Sequence, residues 1–269
     1  MQGLLSPMYI ARFKLFHRYK KFLNFLYYWF FLIINPYEAK KKIPSFVGFF
    51  RDLDKYSKSE GAEPLRPLDI YPCLYNKTAN TPFSRHYFYQ HNWVFKKILE
   101  SRVRHHIDVG SDIYCASFLS VIIKVTFVDI RPLKAYLYNL HSLQGSILSM
   151  PYKTNSVISL SCLHVAEHVG LGRYGDSIDP LGTRKAAREL SRILAPGGNL
   201  FFSVPIGKPR LFFNARRIHS TKQILDYFSD LKLVELSGLD DKGRFIKNID
   251  KAILDSCIYG CGLFWFSKR

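Results

Sequence analysis

The chain has 269 residues, of which 48% are hydrophobic, and its 39 Lys and Arg against 21 Asp and Glu give a net charge of +18. This length and apolar fraction suit one large α/β domain with an extension, and they exclude wholesale disorder. The positive charge favours contact with anionic lipid, nucleic acid or phosphorylated ligands. Because no nucleic-acid-binding motif accompanies the charge, nucleic acid is not expected as a partner.

An apolar, aromatic run covers residues 22–34 and is flanked by lysines. As a helix these thirteen residues extend only about 20 Å, which is too short for the roughly 30 Å hydrocarbon core of a bilayer. Two interpretations remain open. The run is either a helix that lies at an anionic membrane surface, with residues 12–42 as the contact region, or a helix that packs against protein. The predicted location is therefore cytoplasmic, with peripheral binding to the cytoplasmic membrane face under the first interpretation.

The five cysteines, at positions 73, 115, 162, 257 and 261, show no paired spacing. Neither a disulfide framework nor a zinc site is predicted from them, and no metal ligand is expected. Reduced, buried thiols in a cytoplasmic protein are the expected state.

Strand patterns alternate with helix patterns from about residue 103 onwards. This alternation predicts an α/β fold with a parallel, doubly wound, Rossmann-like sheet over residues 103–269. Residues 1–44 are predicted as a separate basic segment with a helical character, and residues 45–102 as a helical and irregular lead-in. The predicted strands are 105–110, 124–130, 155–161, 199–205 and 231–239, and the predicted helices are 114–122, 183–198 and 220–228.

Two strand ends carry the residues expected to bind a ligand. Asp108 and Gly110 end the first strand, and a glycine there lets the backbone approach a ligand closely. Asp129 ends the second strand about twenty residues later, where an acid can hold the two hydroxyls of a ribose. This pairing predicts a nucleotide-containing cofactor.

The order "DVGS", "VDIRP", "GSILSMPYKTNSVISLSCLHVAEHV" and "LSRILAPGGNLFFSVP" resembles the class I S-adenosylmethionine-dependent methyltransferases. Within that superfamily, "HVGLGRYGDSIDPLG" with "HYFYQHNW" and "FNARRIHS" resembles an uncharacterised family, domain of unknown function two hundred and sixty-eight, over about residues 45–269. The resemblance implies S-adenosylmethionine (SAM) as cofactor and methyl transfer to a small or glycan-type acceptor. The implied cofactor-binding residues are Asp108, Gly110, Ser111, Asp129, Ile130, Ser146 and Ile147.

Polar residues after the fourth strand are the candidates for the acceptor side. His164 and His168 could take a proton from an acceptor hydroxyl, although packing is an alternative for His168. The glycine-rich segment that follows offers Arg173 and Asp176 as further catalytic candidates, and it is predicted to cover the acceptor pocket. Substrate contacts are assigned to Tyr174, Asn214 and His219. Two alternatives to the enzyme hypothesis stay open: a catalytically silent Rossmann-like binding module and a membrane-peripheral scaffold.

Overall fold

The computed structural model describes residues 22–23 and 39–269. The chain divides into two compact units, Met1–Pro82 and Phe83–Arg269. Apart from residues 22–23, the apolar run predicted at 22–34 lies outside the described part of the chain, and so does most of the basic contact region. Among the described helices, none has the length and apolar character needed to cross a membrane.

The first unit contains helix α1, Ala39–Ser57, followed by a short 3-10 turn at Pro67–Asp69. An exposed ion pair between Lys77 and Asp52 joins the end of this unit to α1. The expected helical N-terminal extension is therefore present.

The second unit alternates strands and helices, as the sequence predicts. Helix 85–100 belongs to this unit, although the sequence pattern places it in the lead-in. The elements are α2 (Arg85–Glu100), β1 (His105–Val109), α3 (Ile113–Leu119), β2 (Lys124–Asp129), β3 (Leu140–Gln144), β4 (Val157–Leu163), a 3-10 turn (Ala166–His168), α4 (Gly182–Ile193), β5 (Leu194–Ile206), β6 (Arg210–Phe212), β7 (Arg216–Ile218), α5 (Thr221–Tyr227), β8 (Leu231–Leu239), β9 (Phe245–Ile246), α6 (Lys251–Ser256) and β10 (Gly260–Lys268).

Eight strands form one sheet in the order β3-β2-β1-β4-β5-β10-β8-β9. The five strands from β3 to β5 are parallel, whereas β10 runs antiparallel to both β5 and β8. The Rossmann-like α/β prediction is confirmed, but the sheet is mixed and not wholly parallel. The difference lies in the last strand. After α6 the chain returns through the sheet as β10, between β5 and β8 and antiparallel to both.

One local prediction was wrong, and one strand was not predicted at all. The helix predicted for 183–198 ends at Ile193, because Leu194 already has extended backbone angles, and Pro196 and the two glycines after it lie in β5. Strand β3 was missed because only Leu140 of its five residues is buried, as suits a strand at the sheet edge.

The core lies on both faces of the central strand β5. Phe201 and Phe202 are neighbours on this strand and point to opposite faces, where each joins a separate buried cluster. Both side chains are completely buried. Such a rigid sheet fixes the positions of the loops that follow β1, β2 and β4.

Candidate functional site

Two adjacent cavities lie where β1, β2 and β4 end. Gly110, His164, His168 and Tyr174 line both of them, so the cavities share a wall. In a parallel sheet this edge is where ligands bind, because the loops there leave a crevice between them.

Asp129 and Gly110 are neighbours on the wall of the first cavity. Oδ1 of Asp129 accepts the backbone N–H of Arg131 at 2.7 Å, and Asp129 also pairs with the Arg131 side chain. Gly110 has a φ of +62°, and a Cβ atom there would lie 3.4 Å from Oδ2 of Asp129 and 3.2 Å from Val165. The missing side chain therefore keeps open the space in front of Oδ2.

Apolar side chains also line the first cavity. Ile130 follows Asp129 directly, and the buried Ile147 lines the same cavity. Ser146 contributes its backbone and a hydroxyl that accepts the N–H of Leu148 at 3.2 Å. A flat apolar ring such as a purine base suits a slot of this kind.

Asp108 does not line either cavity, contrary to its predicted contact with the cofactor. It is buried behind the loop, where it accepts the N–H of Ser111 at 3.2 Å and the hydroxyl of Ser161. Burial raises the pKa of Asp108 to about 6, although these hydrogen bonds act in the opposite direction. Asp108 thus positions the loop, and Ser111 reaches the second cavity.

The second cavity has a volume of about 590 Å³ and charged walls. Three guanidinium groups and two carboxylates line it. These are Arg85, Arg173, Arg216, Asp112 and Glu167. The walls can therefore bind a polar, anionic ligand.

His168 stands at the wall between the two cavities. Its Nδ1 lies 2.6 Å from the carbonyl oxygen of Ala215 and 3.3 Å from Nη1 of Arg173. The shorter contact is to a carbonyl, which only accepts, so we assign the proton to Nδ1. Burial lowers the pKa of His168 and outweighs the opposing effect of Glu167. The ring is therefore neutral near pH 7, and its Nε2 holds a lone pair that can accept a proton.

His164 lies at the centre of a buried polar row. Its Nδ1 contacts Oε1 of Glu167 at 2.8 Å, and its Nε2 lies 3.4 Å from the sulfur of Cys261. Burial alone lowers the pKa of His164, but Cys261 and Glu167 outweigh burial and raise it. The ring also stacks on His86, with 5.3 Å between centroids. His164 has a φ of +55°, an uncommon conformation that such a network can hold in place.

Residues 170–180, here called the glycine loop, are held together by hydrogen bonds within the loop. Asp176 accepts the N–H of Gly170 at 2.6 Å and that of Tyr174 at 3.2 Å. A Cβ atom at Gly170 would lie 2.1 Å from the carbonyl oxygen of Asp179, so this position requires glycine. Asp179 accepts the N–H of Leu181 at 2.9 Å and leads the chain into α4.

The glycine loop contributes Arg173, Tyr174 and Asp176 to the cavity walls. Arg173 donates to the carbonyl of Ala215 at 3.2 Å and lies over the ring of Tyr174. Because the backbone of the loop occupies both carboxylate oxygens of Asp176, the predicted catalytic role of Asp176 does not fit this geometry. Its carboxylate holds the loop instead.

Neither of the substrate contacts predicted after β5 lines the two cavities. Asn214 is exposed and donates to the carbonyl of Leu171 at 3.3 Å, so it supports the glycine loop from outside. His219 is 3% exposed and packs edge-on against Tyr227. Burial lowers the pKa of His219 to about 4, as suits a neutral interior residue.

Three residues of this region carry contacts that the sequence patterns do not reveal. Arg217 donates to the carbonyl of Val169, just before the glycine loop, and to that of Asp179, near the end of the loop. His86 and Cys261 lie beside His164, although each is more than seventy residues away in the chain. No local motif connects such distant positions.

A comparison of sequence families confirms the resemblance suggested by the sequence. Residues 130–246 match the family described as "Caenorhabditis protein of unknown function, DUF268". This stretch is shorter than the 45–269 expected from the motifs, and it contains β3 to β9 with the glycine loop. None of the curated proteins compared with the chain shows significant sequence similarity to it.

Solved structures with a similar fold include several methyltransferases. One, from Galdieria sulphuraria, is provisionally assigned as a sarcosine dimethylglycine methyltransferase; it is 14% identical, with 68% of this chain and 86% of that one aligned at a TM-score of 0.50. A geranyl diphosphate methyltransferase in complex with SAM is 13% identical, over 67% and 85% of the two chains, with a TM-score of 0.50. The [4+2]-cyclase SpnF is 12% identical, over 66% and 81%, with a TM-score of 0.50. The chain therefore has the methyltransferase fold, which by itself does not specify the reaction.

Proposed function

We propose that this protein is a SAM-dependent methyltransferase that acts on a small or glycan-type acceptor carrying an anionic group. The observation that supports it best is the pair of cavities with a common wall. One has the acid and the apolar slot that an adenosine requires, and the other has the charged groups that an acceptor requires. His168 stands between them.

The residues of the first cavity fit the adenosine part of SAM. Oδ2 of Asp129 receives no hydrogen bond among the described residues and faces the space that Gly110 leaves open. A carboxylate oxygen in this position can accept a ribose hydroxyl. Ile130 and Ile147 provide apolar contacts for the base. The single glycine after β1 is sufficient for this fit, since Gly110 is the residue that faces Asp129.

SAM, when bound, supplies an electrophilic methyl group on a sulfonium centre. The residues of this chain then need to orient the acceptor and accept its proton. His168 can perform the second task, because the carbonyl of Ala215 fixes the proton on Nδ1 and leaves Nε2, which lies 3.7 Å from Oε1 of Glu167, as the proton acceptor. A hydroxyl acceptor in the second cavity could donate its proton to Nε2 as the methyl bond forms.

The charge of the second cavity supports an anionic acceptor. Arg173 makes one hydrogen bond to a backbone carbonyl, and Arg216 bonds to the hydroxyl of Tyr259. Neither guanidinium forms an ion pair among the described residues, so both retain donors for a carboxylate or phosphate. The glycine loop supports the arrangement, since Arg131 lies 4.4 Å from the ring centre of Tyr174 and joins the loop to the end of β2.

Titration calorimetry with S-adenosylhomocysteine on the full chain tests the proposal. The expected result is stoichiometric binding that NAD does not displace. A screen of small hydroxyl acceptors with anionic groups, read out as S-adenosylhomocysteine formed from SAM, then identifies the reaction. Absence of S-adenosylhomocysteine binding would overturn the proposal and favour the silent binding module. Binding without turnover on any acceptor would contradict the enzymatic part alone.

A further inference from the structure

Three side chains that commonly bind metals meet beside the second cavity. They are His86 on α2, His164 after β4 and Cys261 on β10. One ligand atom from each lies within 4.8 Å of the other two, and Nε2 of His164 is 3.4 Å from the sulfur of Cys261. In a tetrahedral zinc site, with bonds of about 2.0–2.3 Å, neighbouring ligand atoms are roughly 3.5 Å apart. His164 and Cys261 already have this separation, whereas His86 has to move to complete the geometry.

We propose that His86, His164 and Cys261 form a binding site for a zinc-type divalent ion at the edge of the second cavity. The proposal goes beyond methyl transfer and does not depend on SAM binding. It requires one thiolate and two neutral imidazoles as ligands.

Glu167 provides the second shell of such a site. Nδ1 of His164 donates its proton to Oε1 of Glu167 at 2.8 Å, and Nε2 lies 3.4 Å from the sulfur of Cys261, where a metal ion would displace the Nε2 proton on binding. Metal-binding histidines usually have a carboxylate partner of this kind, because it fixes the tautomer and the ring orientation. Oε2 of Glu167 has no hydrogen-bond partner in the described part of the chain, although the residue is 1% exposed. A buried anionic oxygen without a donor is costly, and a nearby cation reduces that cost.

His86 is the adjustable ligand. Its ring stacks on that of His164 at an angle of 13°, so His86 has to rotate about its side-chain torsions before both lone pairs meet at one point. The side chain is half-buried on the cavity wall, where such a rotation is possible. Tyr259 stacks on the other face of His86, with 5.0 Å between centroids. His86, His164 and Tyr259 all line the second cavity, so an ion can reach the site from there.

The ligand types select the ion. Hard cations such as Mg²⁺ and Ca²⁺ take oxygen ligands, whereas a thiolate with two imidazoles suits Zn²⁺ and similar transition metals. Three protein ligands leave a fourth position of a tetrahedron for water or another small molecule. This arrangement is typical of catalytic zinc sites, in contrast to structural sites with four protein ligands.

The row of Cys261, His164 and Glu167 also has the order of a nucleophilic triad. Access to the sulfur argues against that alternative. Cys261 is completely buried and is not part of the wall of either cavity, so a carbonyl substrate cannot approach its sulfur. A metal ion is small enough to enter between the three side chains.

Cobalt titration of the chelator-treated full chain tests the proposal without SAM. We expect one equivalent of Co²⁺ to give a thiolate-to-metal charge-transfer band with the strong visible bands of tetrahedral cobalt, and Zn²⁺ to displace it. C261S should remove the charge-transfer band, and H86A should weaken binding at least tenfold. E167Q should weaken binding by about 10–100-fold, the usual effect of losing a second-shell carboxylate.

Two exposed positions supply matched controls. C73S and H141A remove residues of the same types outside the cluster, and both should bind Co²⁺ as the wild type does. Circular dichroism establishes whether each variant is folded. If C261S does not fold, the half-buried His86 position decides the outcome. A wild type without the charge-transfer band, or an H86A variant with unchanged affinity, would overturn the proposed site.

Discussion

Gly170 and Asp176 close the glycine loop, because the backbone N–H of Gly170 donates to the Asp176 carboxylate at 2.6 Å. Burial alone raises the pKa of Asp176, but the N–H groups of Tyr174 and Gly170 outweigh burial and hold the pKa below its usual range. The carboxylate is therefore ionised at neutral pH and serves the shape of the loop. Arg173 extends from the same loop, yet it has only a single backbone acceptor at 3.2 Å.

This contrast predicts different results for two alanine variants. D176A should lose about 1–2 kcal/mol of unfolding free energy, since it removes two charge-assisted hydrogen bonds from a half-buried group. R173A should stay within about 0.5 kcal/mol of the wild type, as is usual at exposed positions. Urea unfolding of both variants measures the difference. Equal stability of the two variants would show that Asp176 does not hold the loop.

Asp129 is predicted to bind the ribose of the cofactor. D129A should weaken the binding of S-adenosylhomocysteine by about 1.5–3 kcal/mol, which is the effect of losing hydrogen bonds to a charged group and corresponds to roughly 10–150-fold in Kd. Calorimetry measures the change directly. D226A is the matched control, because Asp226 is exposed and, among the residues that the structure describes, pairs only with Lys222. If D129A and D226A both bind as the wild type does, the ribose lies elsewhere.

His168 is predicted to accept a proton from the acceptor. H168N retains a donor for the carbonyl of Ala215 and removes Nε2, so the fold and the cofactor affinity should be preserved. Turnover of a hydroxyl acceptor should fall by about 10²–10⁴-fold, the usual contribution of a general base. The rate of S-adenosylhomocysteine formation is the measurement, with H141N as an exposed histidine control. A full rate in H168N would assign His168 to packing, the alternative that the sequence also allows.

The sequence predicted the cofactor side of the site better than the acceptor side. Gly110 and Asp129 follow from the rule that strand ends in a parallel sheet meet at one edge, and both residues line the first cavity. His86 and Cys261 could not be predicted to meet His164, because their proximity depends on the packing of α2 and on the reversed strand β10. Without knowledge of the strand order, the sequence around Cys261 indicates only an apolar strand and not a position beside His164.

The final prediction concerns Asp108, which is 2% exposed, and the pH dependence of stability. Burial raises the pKa of Asp108 from 3.8 to about 6, so the folded state binds this proton more tightly than the unfolded chain does. The stabilisation is complete below about pH 4 and is lost as the pH rises through about 6, with a total of about 3 kcal/mol. Burial lowers the pKa of His106 to about 3, so its contribution to stability changes with pH in the opposite direction. That contribution is the same in the wild type and in a variant at Asp108.

Comparison of D108N with the wild type isolates this effect, since an amide of the same shape does not titrate. Between about pH 4 and about pH 7, the unfolding free energy of D108N should rise relative to the wild type by up to about 3 kcal/mol. Urea unfolding at both pH values gives the double difference, and D226N is the exposed control, for which no such change is expected. A double difference near zero, as in D226N, would mean that Asp108 is ionised in the folded protein without cost. The hydrogen bonds from Ser111 and Ser161 would then offset the whole effect of its burial.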